Sequence, residues 1–235
     1  MEKFSKYLCV LLNRFSRETL MSYKNLVIAI ILCAFFSVAF FIFPQIDLKF
    51  SALFFYHGSF YNQPWMLAAR DTLDWVVWVF MLILLLILIW GWLLRKKLTK
   101  PVLFLILCFA LGPGLLVNVV LKNHWGRPRP AAIKQFGGKL TYQKPWVISN
   151  QCVTNCSFVA GDSSTAFAFF ALIVLIRKKF WRNLVFGLCA LNWLFFAFLR
   201  IAAGGHFLSD VLIGATLVWL VIWLCYKVVY SVESA

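Results

Sequence analysis

The sequence predicts an all-α polytopic membrane protein, a bundle of six transmembrane helices, and three observations carry that prediction. Of its 235 residues 63% are hydrophobic, with a mean hydropathy of +0.86, more than a soluble core of this size requires. The apolar residues fall in six runs, most of them long enough to cross a bilayer. The 23 Lys and Arg, which give a formal net charge of +15, gather between those runs. There they read as topology signals and contacts to anionic membrane lipids, so no nucleic-acid partner is inferred from the charge. No obligate protein partner is predicted.

Residues 1–24 place Phe4, Leu8, Leu11 and Phe15 at helical spacing among Lys3, Lys6, Arg14 and Arg17, the pattern of an amphipathic helix lying in the membrane interface. Charges interrupt it throughout, unlike a cleaved signal. Residues 25–235 then form one six-span domain. Asn25 to Phe43 is the first span and stops at Pro44. The aromatic-rich connection that follows, with Phe50, Phe54, Phe55, Tyr56, Phe60 and Trp65, reads as an interfacial segment. His57 has no cation or carboxylate at a useful spacing and belongs to that interface. Trp75 to Leu94 forms the second span, closed by Arg95, Lys96, Lys97 and Lys100. Pro101 opens the third, to Leu121, with Gly112, Pro113 and Gly114 as a kink. A polar loop over about 122–162 leads to a short fourth span, Ser163 to Ile176. Leu184 to Leu199 and Phe207 to Tyr226 complete the set.

Six spans place both termini on one side, and that side holds fourteen of the 23 cationic residues. The termini are therefore expected in the cytoplasm and the polar loop outside. Cys152 and Cys156 of that loop then face an oxidising compartment, which favours a small disulfide. The same map puts Lys122, Arg127, Arg129, Asp162, Arg200, His206 and Asp210 on one membrane face. Charges beside hydrocarbon are costly and need a reason to be there. His206 and Asp210, four residues apart, share a face if both are helical. Asp210 would then accept a hydrogen bond from one imidazole nitrogen and leave the other free as a nucleophile. Lys122, Arg129 and Arg200 form a clamp for the oxygens of a phosphate, whose transfer cations catalyse. Asp162 stands as the acid for the departing alkoxide, and Gly161 and Ser163 add backbone N–H groups at a helix start. No metal or other cofactor is called for, since the His and acidic partners of a zinc site are missing nearby.

Lys122-x6-Arg129-Pro130, then Phe158-Val159-Ala160-Gly161-Asp162, then Arg200-x5-His206-x3-Asp210 resemble the three signature motifs of the type 2 phosphatidic acid phosphatase (PAP2) superfamily. The resemblance covers about 121–214 and the six-span layout. It implies metal-independent dephosphorylation of a lipid phosphate through a phosphohistidine on His206, with Asp210 supporting it and the cations binding phosphate. The second motif departs from the usual Pro-Ser-Gly-His: here Val159-Ala160-Gly161-Asp162 lacks both the serine and the histidine acid. A similar Gly-Asp variant occurs among bacterial enzymes that remove phosphate from lipid A, so the implied substrate leans there, at the periplasmic face of a bacterial inner membrane. Phosphatidylglycerol phosphate and undecaprenyl pyrophosphate are the alternative substrates. A lipid phosphotransferase, or a lipid-binding or transport protein without turnover, are the alternative functions.

Overall fold

In a computed structural model, which describes residues 20–93 and 99–230, the chain is a bundle of α-helices with one small hairpin. Five helices are long and apolar enough to cross a membrane. They are α1 (Tyr23–Ile42), α3 (Pro64–Leu93), α4 (Thr99–His124), α7 (Lys179–Ala202) and α8 (Leu208–Tyr230). Between them lie the short α2 (Gln45–Ala52), α5 (Gly161–Ala168) and α6 (Ala171–Leu175). The expected fourth span is thus two helical pieces, and together they would reach only about 22 Å of a hydrocarbon core about 30 Å thick. Apart from residues 20–24, the amphipathic helix expected over 1–24 lies outside the described residues.

Ser22 caps α1, its hydroxyl accepting from the Asn25 N–H at 3.4 Å. After α2 the chain makes a two-residue hairpin, β1 (Phe55–Tyr56) against β2 (Ser59–Phe60). Its turn residues His57 and Gly58 both have positive φ, 51° and 80°, as the tightest antiparallel turns require. The expected interfacial segment is therefore folded. Phe55 and Phe60 pack with Phe136 of the polar loop at ring centroid distances of 5.1 to 5.3 Å.

α3 runs 30 residues and begins eleven positions before the predicted start of its span, so Arg70 and Asp74 lie inside the helix. In α4 the expected kink is absorbed differently. Pro113 has no N–H to donate, and the helix widens into a π-helical stretch over Ala110–Leu121.

α8 is the centre of the bundle and packs against α1, α2, α4 and α5. Its apolar surface meets that of α4 and α6 through Cys108, Phe109, Val117, Ile173, Val174, Val218 and Ile222, all buried. α1 and α3 bury little and turn Ile31, Phe35, Trp75, Trp78 and Trp90 outward, as lipid-facing helices do. The polar loop folds back on this frame. Trp146 donates to Ser37 of α1 at 2.8 Å, and Lys144 stacks over Phe41 at 4.7 Å. These two residues tie the loop to the bundle.

Candidate active site

Four backbone hydrogen bonds sew the three charged stretches together. Cys156 N donates to Lys122 O at 3.2 Å and Ser157 N to Arg127 O at 2.8 Å. Ala131 N donates to Gly204 O at 3.0 Å, and Ala160 N to Asp210 O at 3.3 Å. Residues up to 73 positions apart, Ala131 and Gly204, thereby meet at one end of the bundle. Cys152 and Cys156 form the expected disulfide within the loop that carries this seam.

His206 sits in the loop between α7 and α8, 1% exposed. Its Nδ1 lies 2.6 Å from the carbonyl oxygen of Ser157. A carbonyl only accepts, so Nδ1 carries the proton and Nε2 keeps its lone pair. Asp210 does not take that role. Its Oδ2 is 3.8 Å from Nδ1, because α8 begins at Leu208 and His206 lies outside the helix that would have put the two on one face. The carboxylate instead accepts from Ser157 Oγ at 2.6 Å, from Phe207 N at 2.9 Å, and from Arg127. It fixes the residue whose carbonyl fixes the imidazole.

Arg127 is fully buried, and all five of its donors are used. Nε meets Gln143 O at 2.9 Å, and Nη1 meets Ser209 Oγ at 2.8 Å as well as Asp210. Nη2 meets Asp47 Oδ2 at 2.8 Å and Tyr142 Oη at 3.2 Å. The guanidinium also lies 4.5 Å from the centroid of the Phe207 ring. Burial works against its charge, but the carboxylates of Asp210 and Asp47 outweigh that and raise its pKa above the ordinary value. Asp47, from α2, accepts from Ser209 N at 2.9 Å and so caps the start of α8. Arg127 and Asp47 form the rigid floor of the site.

Three cations act on the same imidazole. Burial first, and then Arg200, Lys122 and Arg129, push the pKa of His206 well below that of a free histidine, with Asp162 pulling the other way. All four groups therefore act on the same ring. Gly161 opens α5, and a Cβ there would collide with the Lys122 ammonium and come within 2.7 Å of Asn118 Oδ1. A Cβ on Gly205 would come within 2.6 Å of Arg200 Nη2. Both glycines make room for a cation, Lys122 at Gly161 and Arg200 at Gly205. Arg129 is held by Asn155 O at 2.7 Å. Ser163 is 1% exposed, and its hydroxyl has no hydrogen-bond partner among the described residues.

Asp162 lies among these cations as an acceptor. Its Oδ2 takes a 2.8 Å hydrogen bond from Arg70 Nε and stands 3.1 Å from Arg200 Nε. The second pair is an ion contact without hydrogen-bond alignment. His124 turns away, its Nδ1 against Val120 O at 2.8 Å. Sequence reasoning missed Arg70, Asp47 and the Ser157 carbonyl, and it gave Arg127 no task. For Arg70 and Asp47 a signal was present, a charge in or beside an apolar helix. A backbone carbonyl leaves none.

The geometry is that of an imidazole protonated at Nδ1 by its contact with Ser157 O, with the charges of Arg200, Lys122, Arg129 and Asp162 acting on the same ring. The model of the PAP2 superfamily matches residues 103–233. A lipid A 4'-phosphatase of Francisella tularensis subsp. novicida is 34% identical over 219 residues, covering 88% of this chain and 96% of that protein. A lipid A 4'-phosphatase of Rhizobium leguminosarum is 40% identical over 121 residues, 52% of this chain and 48% of that protein. The transmembrane PAP2-type phosphatidylglycerolphosphate phosphatase of Bacillus subtilis superposes with a TM-score of 0.57 at 20% identity, over 89% of this chain and 96% of that one.

Proposed function

The chain belongs to the PAP2 superfamily, and on that premise we propose that it removes a phosphate from a lipid A-type glycolipid at the periplasmic face of a bacterial inner membrane. It is a membrane phosphatase, a phosphoric monoester hydrolase. The relative from Francisella, matched along nearly its whole length, supports the lipid A assignment and the 4' position. One observation carries the chemistry: a neutral imidazole, fixed through Nδ1, with Nε2 free beside Lys122, Arg129 and Arg200.

The phosphate enters between Lys122, Arg129 and Arg200, with the α5 N–H groups of Gly161 and Ser163 as further donors. The Nε2 lone pair forms a bond to phosphorus while the bond from phosphorus to the sugar oxygen breaks, giving a phosphohistidine and an alkoxide that takes up a proton. The charge that develops on the ring is stabilised through Nδ1–H and Ser157 O, with Asp210 behind them. Water then attacks phosphorus, inorganic phosphate leaves, and Nε2 regains its lone pair. No step requires a metal.

The expected acid role of Asp162 would need a carboxylic acid between two guanidinium groups, and each pair favours the carboxylate. We therefore assign Asp162 to an ion pair with Arg70 beside Arg200, and the leaving oxygen takes its proton from water. Asp162→Asn then retains turnover within about tenfold, whereas loss of a general acid costs about 10² to 10⁴-fold. An apolar groove of about 590 Å³ between α3 and α7, lined by Leu73, Val76, Leu188 and Phe196 and reaching Ala69 beside Arg70, is suited to acyl chains. The test is purified protein in detergent with lipid A, read by mass spectrometry. Loss of one phosphate by wild type and not by His206→Ala supports the reading, and an acid-labile phosphoprotein intermediate supports the phosphohistidine. No phosphate release from lipid A by active-folded protein ends the substrate assignment.

A further inference from the structure

Arg70 lies in the second turn of α3, outside the residues 103–233 that match the family model, yet it reaches Asp162 beside Arg200. Its Nε donates to Asp162 Oδ2 at 2.8 Å across 92 positions of sequence. The same oxygen stands 3.1 Å from Arg200 Nε. The two guanidiniums differ in setting. The Arg70 side chain is 33% exposed, while that of Arg200 is 5% exposed and packed on Gly205. One carboxylate is thus shared between a buried clamp cation and a cation at the rim.

A phosphate dianion arriving at Arg200 meets that carboxylate as a like charge and as a competitor for the same guanidinium. We propose that Arg70 is a positioning residue of the phosphate site: through its ion pair it draws the charge of Asp162 away from Arg200 and so leaves Arg200 available to phosphate. Arg70 does not touch the phosphate in this scheme. Without it, Asp162 closes onto Arg200 and Lys122, and the clamp is occupied by the protein's own anion. The inference deepens the phosphatase reading and rests on it for the identity of the anion. Its test reads inorganic phosphate affinity directly, so it is decided even if lipid A proves not to be the substrate.

The experiment measures inorganic phosphate binding by titration calorimetry on purified full-length protein in detergent, for wild type, Arg70→Ala, Asp162→Asn and the double variant. Arg70→Ala alone is expected to weaken phosphate about tenfold, from one uncompensated charge a few ångströms from the site. The double variant is expected to return to within about threefold of wild type, because the carboxylate that Arg70 compensated is gone. A purely structural role would shift the melting temperature and leave phosphate affinity unchanged, and that result overturns the proposal. An equal loss in both backgrounds also overturns it, since Arg70 would then be gripping phosphate itself. Should Arg70→Ala fail to fold, Arg70→Gln and Arg70→Lys decide: Lys keeps the charge and most of the affinity, and Gln loses it. If Lys binds phosphate no better than Gln, the proposal fails.

Discussion

At the scale of single residues, the proposed mechanism divides the site into groups that meet phosphate and groups that hold them. His206 is the sharpest case. His206→Ala should lower kcat/KM by about 10⁴-fold or more, as losses of covalent nucleophiles do, with the melting temperature little changed. Its ring should also resist protonation. Burial and three neighbouring cations disfavour the imidazolium, so the neutral, attacking form persists as pH falls through about 6.5, where a free histidine would charge. Ring ¹⁵N NMR of the purified protein, with the signal assigned by His206→Gln, reads this directly. A midpoint at or above the free value would remove the electrostatic account of the site. Arg127→Met should destabilise the fold by about 3–5 kcal/mol, because it leaves the buried Asp47 and Asp210 carboxylates without their cation. Unfolding in mixed micelles measures it. The sequence made the charged groups that gather at one end of the bundle legible, since charges beside hydrocarbon are conspicuous. It misassigned their support. The four-residue spacing of His206 and Asp210 implies a shared helical face only where both are helical, and helix α8 begins between them.

At the scale of elements, the first turn of α5 does the most with the fewest atoms. Gly161 is needed less for backbone freedom than for the space its missing Cβ leaves to the Lys122 ammonium. Gly161→Ala meets the flexible end of a side chain, so the ammonium moves and the helix stays. The expected result is a fall in kcat/KM of about tenfold, near 1.4 kcal/mol of transition-state binding, with unchanged thermal stability. A drop in stability with intact kinetics would contradict this. The long helices were legible to within a few residues, because apolar runs and their basic flanks are strong signals. The exceptions have physical causes. The start of α3 was missed because Arg70, Asp71 and Asp74 interrupt its hydropathy, although they do not interrupt its backbone. The hairpin at 55–60 is too short for any periodicity to register. Pro113 announces a disturbance in α4, but not that π-helical geometry absorbs it.

At the scale of the whole molecule, every residue proposed to take part in the reaction stands at one end of the bundle, drawn there by the backbone seam between loops distant in sequence. Orientation is then a single question. Ile148 of the polar loop is 64% exposed. Ile148→Cys should be labelled in intact cells by a thiol reagent that cannot cross the inner membrane, and labelling only after lysis would reverse the proposed topology. Pre-incubation with a chelator should leave turnover unchanged, since the proposed mechanism draws its nucleophile and charge stabilisation from side chains and backbone. A loss restored by a divalent cation would require a different mechanism. The floor beneath His206, made by Ser157, Arg127, Asp47 and Asp210, shares no side chain with the stretch Val159 to Asp162. That stretch meets the floor through backbone alone, Ala160 N to Asp210 O, so its side chains can change while the Ser157 carbonyl keeps its hold on the imidazole.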